Sequence, residues 1–386
     1  MTLALVLGVG LVTPAVADEE FTIGCVLPLS GVYGGQGQRI RDAYTFWADK
    51  VSDKGGISGK YRVRLVFRDD QSSPRTSAKL TGQLITQDKV DLLLGSYGSA
   101  QVMAASAVAE LHKYPYLSGG AASDKLYERH YKYLFGTQGK ATDQVRACVE
   151  VFTSVTPKPR TVAIVGSKIP SAELSCQGFK KYAAKCGFKI VHYELFPIRL
   201  KDYNTMLLMA KAKKPDLLLV GSRLDMALRV MKAMQEIDFN PRAVAFSHGP
   251  TAPVFIQRVK AKANYVFAAS EWTPNLPYTG PVFGTARRFS QEYKQRFGRA
   301  PGYVEAASAA AGVALQKAVE QLGLKPGLME AGRVKLMEQL HKIDLMTFYG
   351  PVSFGADGAN RKHPPLAVQV QNLESVSYTH LTLPTN

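Results

Sequence analysis

Residues 23–50 read IGCVLPLSGVYGGQGQRIRDAYTFWADK: an apolar run, a glycine-rich loop, then an amphipathic segment. This is a strand–loop–helix order. Such a loop aims unpaired N–H groups at one spot, which suits a phosphate or a carboxylate. The nucleotide readings fail on spacing. A dinucleotide fingerprint needs G-x-G-x-x-G, whereas Gly35-Gln36-Gly37 is followed by Gln38-Arg39-Ile40. A P-loop needs G-x-x-x-x-G-K-[ST], whereas GGISGKY (55–61) ends in Tyr61 and precedes a strand. The loop is therefore read as the cradle of a small solute, with Tyr33 as an aromatic face at its tip.

The same alternation continues outward. Strands are expected at 22–27, 61–68, 91–95, 116–118, 133–136, 161–165, 189–195, 217–221, 243–246 and 265–268. VDLLLG, TVAIVG and PDLLLVG are continuous apolar runs, as strands buried on both faces of a parallel sheet require. YRVRLVFRDD alternates, as an edge strand would. Between them lie segments with apolar residues at three- and four-residue spacing, several opening on Ser, Thr or Asp. The fold class is thus α/β, with helices covering parallel sheets. KVDLLLGSYGSAQ (89–101) and KPDLLLVGSRLDMA (214–227) echo one another, as two similar lobes would. GSYGSAQ (95–101) and LSGGAASD (117–124) repeat the strand-to-helix loop, so three loops converge at the carboxyl ends of one sheet, where open α/β sheets bind ligands.

Composition narrows the function. The chain has 386 residues, 46% of them hydrophobic, enough for two domains with cores of their own. Its formal charge of +17 is scattered at helical spacing rather than gathered into a stripe with interleaved aromatics, which argues against nucleic acid. No H-E-x-x-H, G-x-S-x-G or C-x-x-C motif occurs, so neither an enzyme nor a metal or cofactor is expected; Asp69 and Asp70 read as turn caps. Residues 1–17 read as an export signal: an apolar stretch, then Ala15-Val16-Ala17, then acidic residues, with a buried N-terminal strand as the other reading. Cys25 lacks lipobox spacing and reads as core. Cys176 and Cys186, about 15 Å apart on one helix, should not pair; whether any disulfide forms is open. Residues 373–386 break the pattern of the chain and read as a non-native tail.

The stretches IGCVLPLSGVYGGQGQRIRDAYTFWADKVSDKGGISGK, DDQSSP, LLLGSYGSAQVMAASAVAE and PYLSGGAASDKLYE together resemble the leucine/isoleucine/valine-type periplasmic binding proteins. These are the solute receptors of ATP-driven importers. The similarity runs on through PDLLLVGS, NPRAVAFSHGP, SEWTPNLPYTGP and TFYGPVSFGADG, from about Phe21 to Gln371. It implies two doubly wound parallel-sheet lobes joined by a three-strand hinge: 18–139 with 272–347, and 140–271 with 348–372. It also implies a periplasmic monomer that delivers a small carboxylate-bearing ligand to an ABC permease in the inner membrane. The alternative is a ligand-sensing lobe of a receptor or regulator with the same fold.

By the same resemblance Ser99 bonds the ligand carboxylate, Gly120 contributes main chain, and Tyr33 and Tyr97 are walls, strand-end packing being the other reading of Tyr97. Ala122 stands where amino-acid binders carry a threonine, so the ammonium contact is lost unless Ser123 substitutes. GSRLD offers Arg223, with Asp225, where an acidic partner of the ammonium is often found. His248 sits in a cleft-facing loop. Trp272 is either a ligand wall or hinge packing. The lost threonine and the gained arginine fit a carboxylate without an α-ammonium.

Overall fold

A computed structural model describes residues 19–372 and 374–378. The export signal expected at 1–17 lies outside the described residues. Strands β1 (Glu20–Leu27), β2 (Arg62–Asp69), β3 (Leu92–Leu94), β4 (Tyr116–Ser118) and β5 (Leu134–Gly136) form a parallel sheet in the order β2-β1-β3-β4-β5. The chain then repeats itself. Strands β6 (Thr161–Ser167), β7 (Lys189–Phe196), β8 (Leu217–Gly221), β9 (Ala243–Phe246) and β10 (Phe267–Ser270) run β7-β6-β8-β9-β10, also parallel. The two orders correspond strand for strand, and the echoing runs are β3 and β8, each third in its lobe. Both are wholly buried because helices cover both faces. β2 and β7 are edge strands with partly exposed residues.

The helix Gly34–Ser52 buries Ile40, Tyr44, Phe46, Trp47 and Val51 and lies along the helix Tyr303–Leu322. The two approach so closely that a Cβ on Gly312 would sit 2.4 Å from the Trp47 ring. The lobe-one core runs from Phe21 through Trp47, Trp272, Phe289 and Leu340 to Phe354. Lobe two has two apolar layers, one on each side of its sheet.

Two boundaries differ from expectation. The third crossing does not fall at Phe348. Phe348 stacks on Phe289 with centroids 4.1 Å apart, and Phe354 packs on Phe135 at 5.2 Å. Asn360 donates to Thr137 O and Pro351 O, so lobe one keeps the chain to residue 360 and the crossing is 361–365. The strand Leu366–Gln371 then joins lobe two antiparallel to β10. Finally, Glu374–Tyr378, within the segment read as a foreign tail, pairs antiparallel with that strand.

All four cysteines are free, and Cys25 is fully buried in β1, as core rather than anchor. Among the described residues no helix is long and apolar enough to cross a membrane.

Candidate functional site

The carboxyl ends of β1, β3 and β4 carry the lobe-one loops. In the first, Asp69 accepts from Leu29 N (2.9 Å), Ser30 N (3.2 Å), Ser30 Oγ (2.7 Å) and Gln71 N (2.8 Å). Partial burial works to raise its pKa, but these donors together bring it below the ordinary value. Asp69 is thus a loop cap, as expected of it. Gly37 is required because a Cβ there would lie 2.0 Å from Pro28 O. Gly37 therefore serves close main-chain approach. Tyr33 meets Tyr97 edge-on at 5.5 Å.

The second and third loops are tied together. Gly98, at φ +94°, donates its N–H to Gly120 O (3.0 Å), and Ser99 Oγ accepts from Ser123 N (3.3 Å). Ala122 O accepts from Ala141 N (2.7 Å), which fixes the start of the first crossing. Ser99, Gly120, Ala122 and Ser123 thus form one patch beside Tyr33 and Tyr97.

Lobe two faces this patch with the ends of β8, β9 and β10. Arg223 precedes the helix Leu224–Glu236, is half-exposed, and among the described residues has Asp225 at 3.5 Å as its ion-pair partner. It acts across the cleft: burial pushes the Tyr97 phenol pKa up, Tyr33 adds to this, and the Arg223 charge opposes it. His248 is held by Ser247 Oγ (3.3 Å), and its ring lies 6.3 Å from that of Tyr303 in lobe one. Burial lowers its pKa to about 4, so it is neutral at pH 7.

Trp272 is not a cleft wall. It is 3% exposed, its Nε1–H donates to Phe348 O (3.0 Å), and its ring packs edge-on against Phe289. An indole N–H needs a partner when buried, and the hinge supplies one.

Two residues that sequence reasoning missed complete the site. Tyr303 opens a long helix after a turn and carries no local signal. Glu271 stands beside Trp272 at the end of β10, a strand end that could have marked it. With Gln144, Ser247, His248 and Ser270 they line a cavity of about 10 Å³ between the lobes, room for about one water. Burial raises the Glu271 pKa to about 8. Among the described residues no cluster of His, Cys, Asp or Glu is placed to hold a metal.

Residues 20–374 match the model of the family described as periplasmic binding protein. The chain belongs to the periplasmic binding protein family. Its curated relatives include a Leu/Ile/Val-binding protein homolog of Brucella abortus, 26% identical over 302 residues that cover 75% of this chain and 72% of the relative. Among solved structures it resembles the branched-chain amino acid transporter substrate binding protein LivJ from Streptococcus pneumoniae, in complex with isoleucine. That likeness has a TM-score of 0.75 at 21% identity and covers 93% of this chain and 100% of the other. A solute binding protein of an ABC transporter from Rhodopseudomonas palustris, in complex with benzoate, matches with a TM-score of 0.74 at 19% identity, covering 93% and 95%. These likenesses bear out the α/β two-lobe architecture expected from the strand–helix alternation, the echoing runs and the resemblance.

Proposed function

We propose that this periplasmic binding protein is exported, remains a monomer, and captures a small carboxylate-bearing solute between its lobes for delivery to an ABC permease, without turning it over. The observation that carries this reading is the meeting of side chains from both lobes across the cleft: the Arg223 charge acts on Tyr97, and the His248 ring lies 6.3 Å from that of Tyr303. A solute touching both faces favours the closed form by its differential affinity for the two states. In this arrangement Ser99 and the Arg223 guanidinium address the carboxylate, a charge-assisted contact, and Tyr33, Tyr97 and Tyr303 wall the solute. The isoleucine and benzoate complexes of the similar proteins support a small carboxylate as the ligand class.

Thermal-shift screening of amino acids, aromatic acids, aliphatic acids and amides, followed by small-angle scattering, tests the proposal. Ligand at 100 times its Kd adds about 2.7 kcal/mol of stability, and the bound protein should be more compact. Equal compactness with and without a saturating ligand refutes the trap.

A further inference from the structure

We propose that the end of lobe two opposite the cleft is a docking surface for a bilayer containing anionic phospholipid, on which the protein rests peripherally with its cleft open to solvent. This goes beyond the solute-receptor reading and stands or falls without it.

The fold gathers charge that is scattered along the sequence. Residues 140–271 carry 21 Lys and Arg against 10 Asp and Glu, whereas lobe one, 18–139 and 272–360, carries 25 against 20. Strands β6 to β10 are parallel, with Thr161 opposite Lys189, Val162 opposite Leu217 and Leu217 opposite Ala243. Their first residues therefore share one end of the lobe, and their carboxyl ends face the cleft. An exposed cation stands at every one of these starts: Arg160 at β6, Lys189 at β7, Lys213 and Lys214 at β8, Arg242 at β9 and Lys262 shortly before β10. Neighbouring strands lie about 4.8 Å apart, so the charges extend over about 20 Å. They come from five separate segments, which is why no single run of sequence shows them.

These cations are not neutralised within the lobe. Among the described residues none of the six stands in an ion pair. Arg242 donates instead to Pro157 O (2.6 Å). The carboxylates at the same end have other partners. Asp216 accepts from Arg160 N (2.7 Å), Thr161 N (2.9 Å) and Thr161 Oγ (3.1 Å), and Asp238 accepts from Asn240 Nδ2 (2.5 Å). Glu150 pairs with Arg146 (3.7 Å) and Glu236 with Lys232 (3.5 Å). Lobe one has the same strand order but treats the corresponding end differently: Arg64 pairs there with Glu20, and Lys113 with Glu330. One fold used twice thus closes one pole with ion pairs and leaves the other cationic.

Two features favour a lipid surface over an acidic protein. The cations sit on long, exposed side chains spread across the whole end of the sheet, which suits a mobile plane of negative charge. Among them stands Tyr265, three residues after Lys262. Its N–H donates to Val370 O (2.7 Å) and its carbonyl accepts from Gln369 Nε2 (3.2 Å), holding the main chain at φ +68°, a region that favours glycine. The Tyr265 side chain is left 50% exposed. A tyrosine, apolar in body and polar at its tip, suits the headgroup layer of a bilayer.

The experiment is co-sedimentation of the full chain with vesicles of phosphatidylcholine alone or mixed with phosphatidylglycerol, at about 0.05 and 0.2 M salt. The protein should bind the mixed vesicles, release them as salt rises, and ignore phosphatidylcholine. A variant carrying Arg160→Gln, Lys189→Gln, Lys213→Gln and Lys214→Gln should lose on the order of 100-fold in affinity, at about fivefold per cation. The control carries Lys60→Gln, Lys294→Gln, Lys325→Gln and Lys335→Gln, all exposed on lobe one. It changes the net charge equally and should lose less than about fivefold. Thermal midpoints check that both variants fold. Tyr265→Trp, read with brominated phosphatidylglycerol, should show quenching of the new indole on vesicle binding, since Trp47 and Trp272 are buried. Four results overturn the assignment. They are no binding to mixed vesicles at low salt, equal loss in both variants, no quenching at position 265 by bound vesicles, and poly-glutamate held through the four residues while vesicles are not. The last would make the surface a site for an acidic protein.

Discussion

On the lobe-one side of the cleft, Gly98, Ser99, Gly120 and Ser123 bond to one another, largely through main chain, and Asp69 braces the loop before Tyr33. On the opposite side the polar groups are side chains whose charge depends on surroundings: Arg223 half-exposed, His248 neutral by burial, Glu271 raised by burial at the hinge. One face is a fixed cradle and the other an adjustable set of charges. The lesson is a division of labour. Loops preorganised by main-chain bonds hold geometry whatever the pH or ligand, while discrimination by charge is left to the face that approaches on closure.

The largest effect that sharpens this comparison concerns Trp272, which the sequence left open between a ligand wall and hinge packing and which the structure buries in the lobe-one core. Trp272→Ala should cost about 3–5 kcal/mol of stability, read by chemical denaturation. Solute affinity of the remaining folded protein should change little. A large affinity loss at unchanged stability would return Trp272 to the cleft.

The next effect is a pH slope belonging to the hinge side. The folded-state pKa of Glu271 lies above its unfolded value, so the native protein holds the extra proton and stability falls as pH rises toward about 8. His248 and His363, both lowered to about 4 by burial, act the other way, but only below about pH 6.5. Between pH 6.5 and 8 the ligand-free protein should therefore lose on the order of 1–2 kcal/mol. Glu271→Gln should flatten that slope. A slope unchanged in the variant would place its source elsewhere and break the contrast between the faces.

The smallest effect on stability is expected at Arg223. Its pair with Asp225 is exposed, and such pairs contribute about 0–1 kcal/mol. Arg223→Gln should leave the melting midpoint nearly unchanged and weaken carboxylate binding about tenfold. Unchanged affinity would make it a rim arginine.

Much of the architecture was legible in the sequence. Continuous apolar runs such as LLLVG, short and bounded by turn residues, read as strands covered on both faces, and their repetition after about 125 residues is what two matching sheets produce. Ser99, Gly120 and Ser123 were legible too, because a strand-to-helix loop brings its own N–H groups to the sheet end. The rest was not. Tyr303 sits in no motif, and Glu271, although it lies within SEWTPNLPYTGP, reaches the cavity only because the end of β10 packs beside the helix that Tyr303 opens.

The sequence by itself determined the alternation of strand and helix, the paired lobes and the loops at their carboxyl ends, since these follow from periodicity and the steric needs of glycine. Only the tertiary structure decided that Trp272 is core, that lobe one holds the chain to residue 360, and that Glu271 faces the cavity. Burial and electrostatic environment are set by what packs around a residue in space, and neighbours in sequence do not fix that.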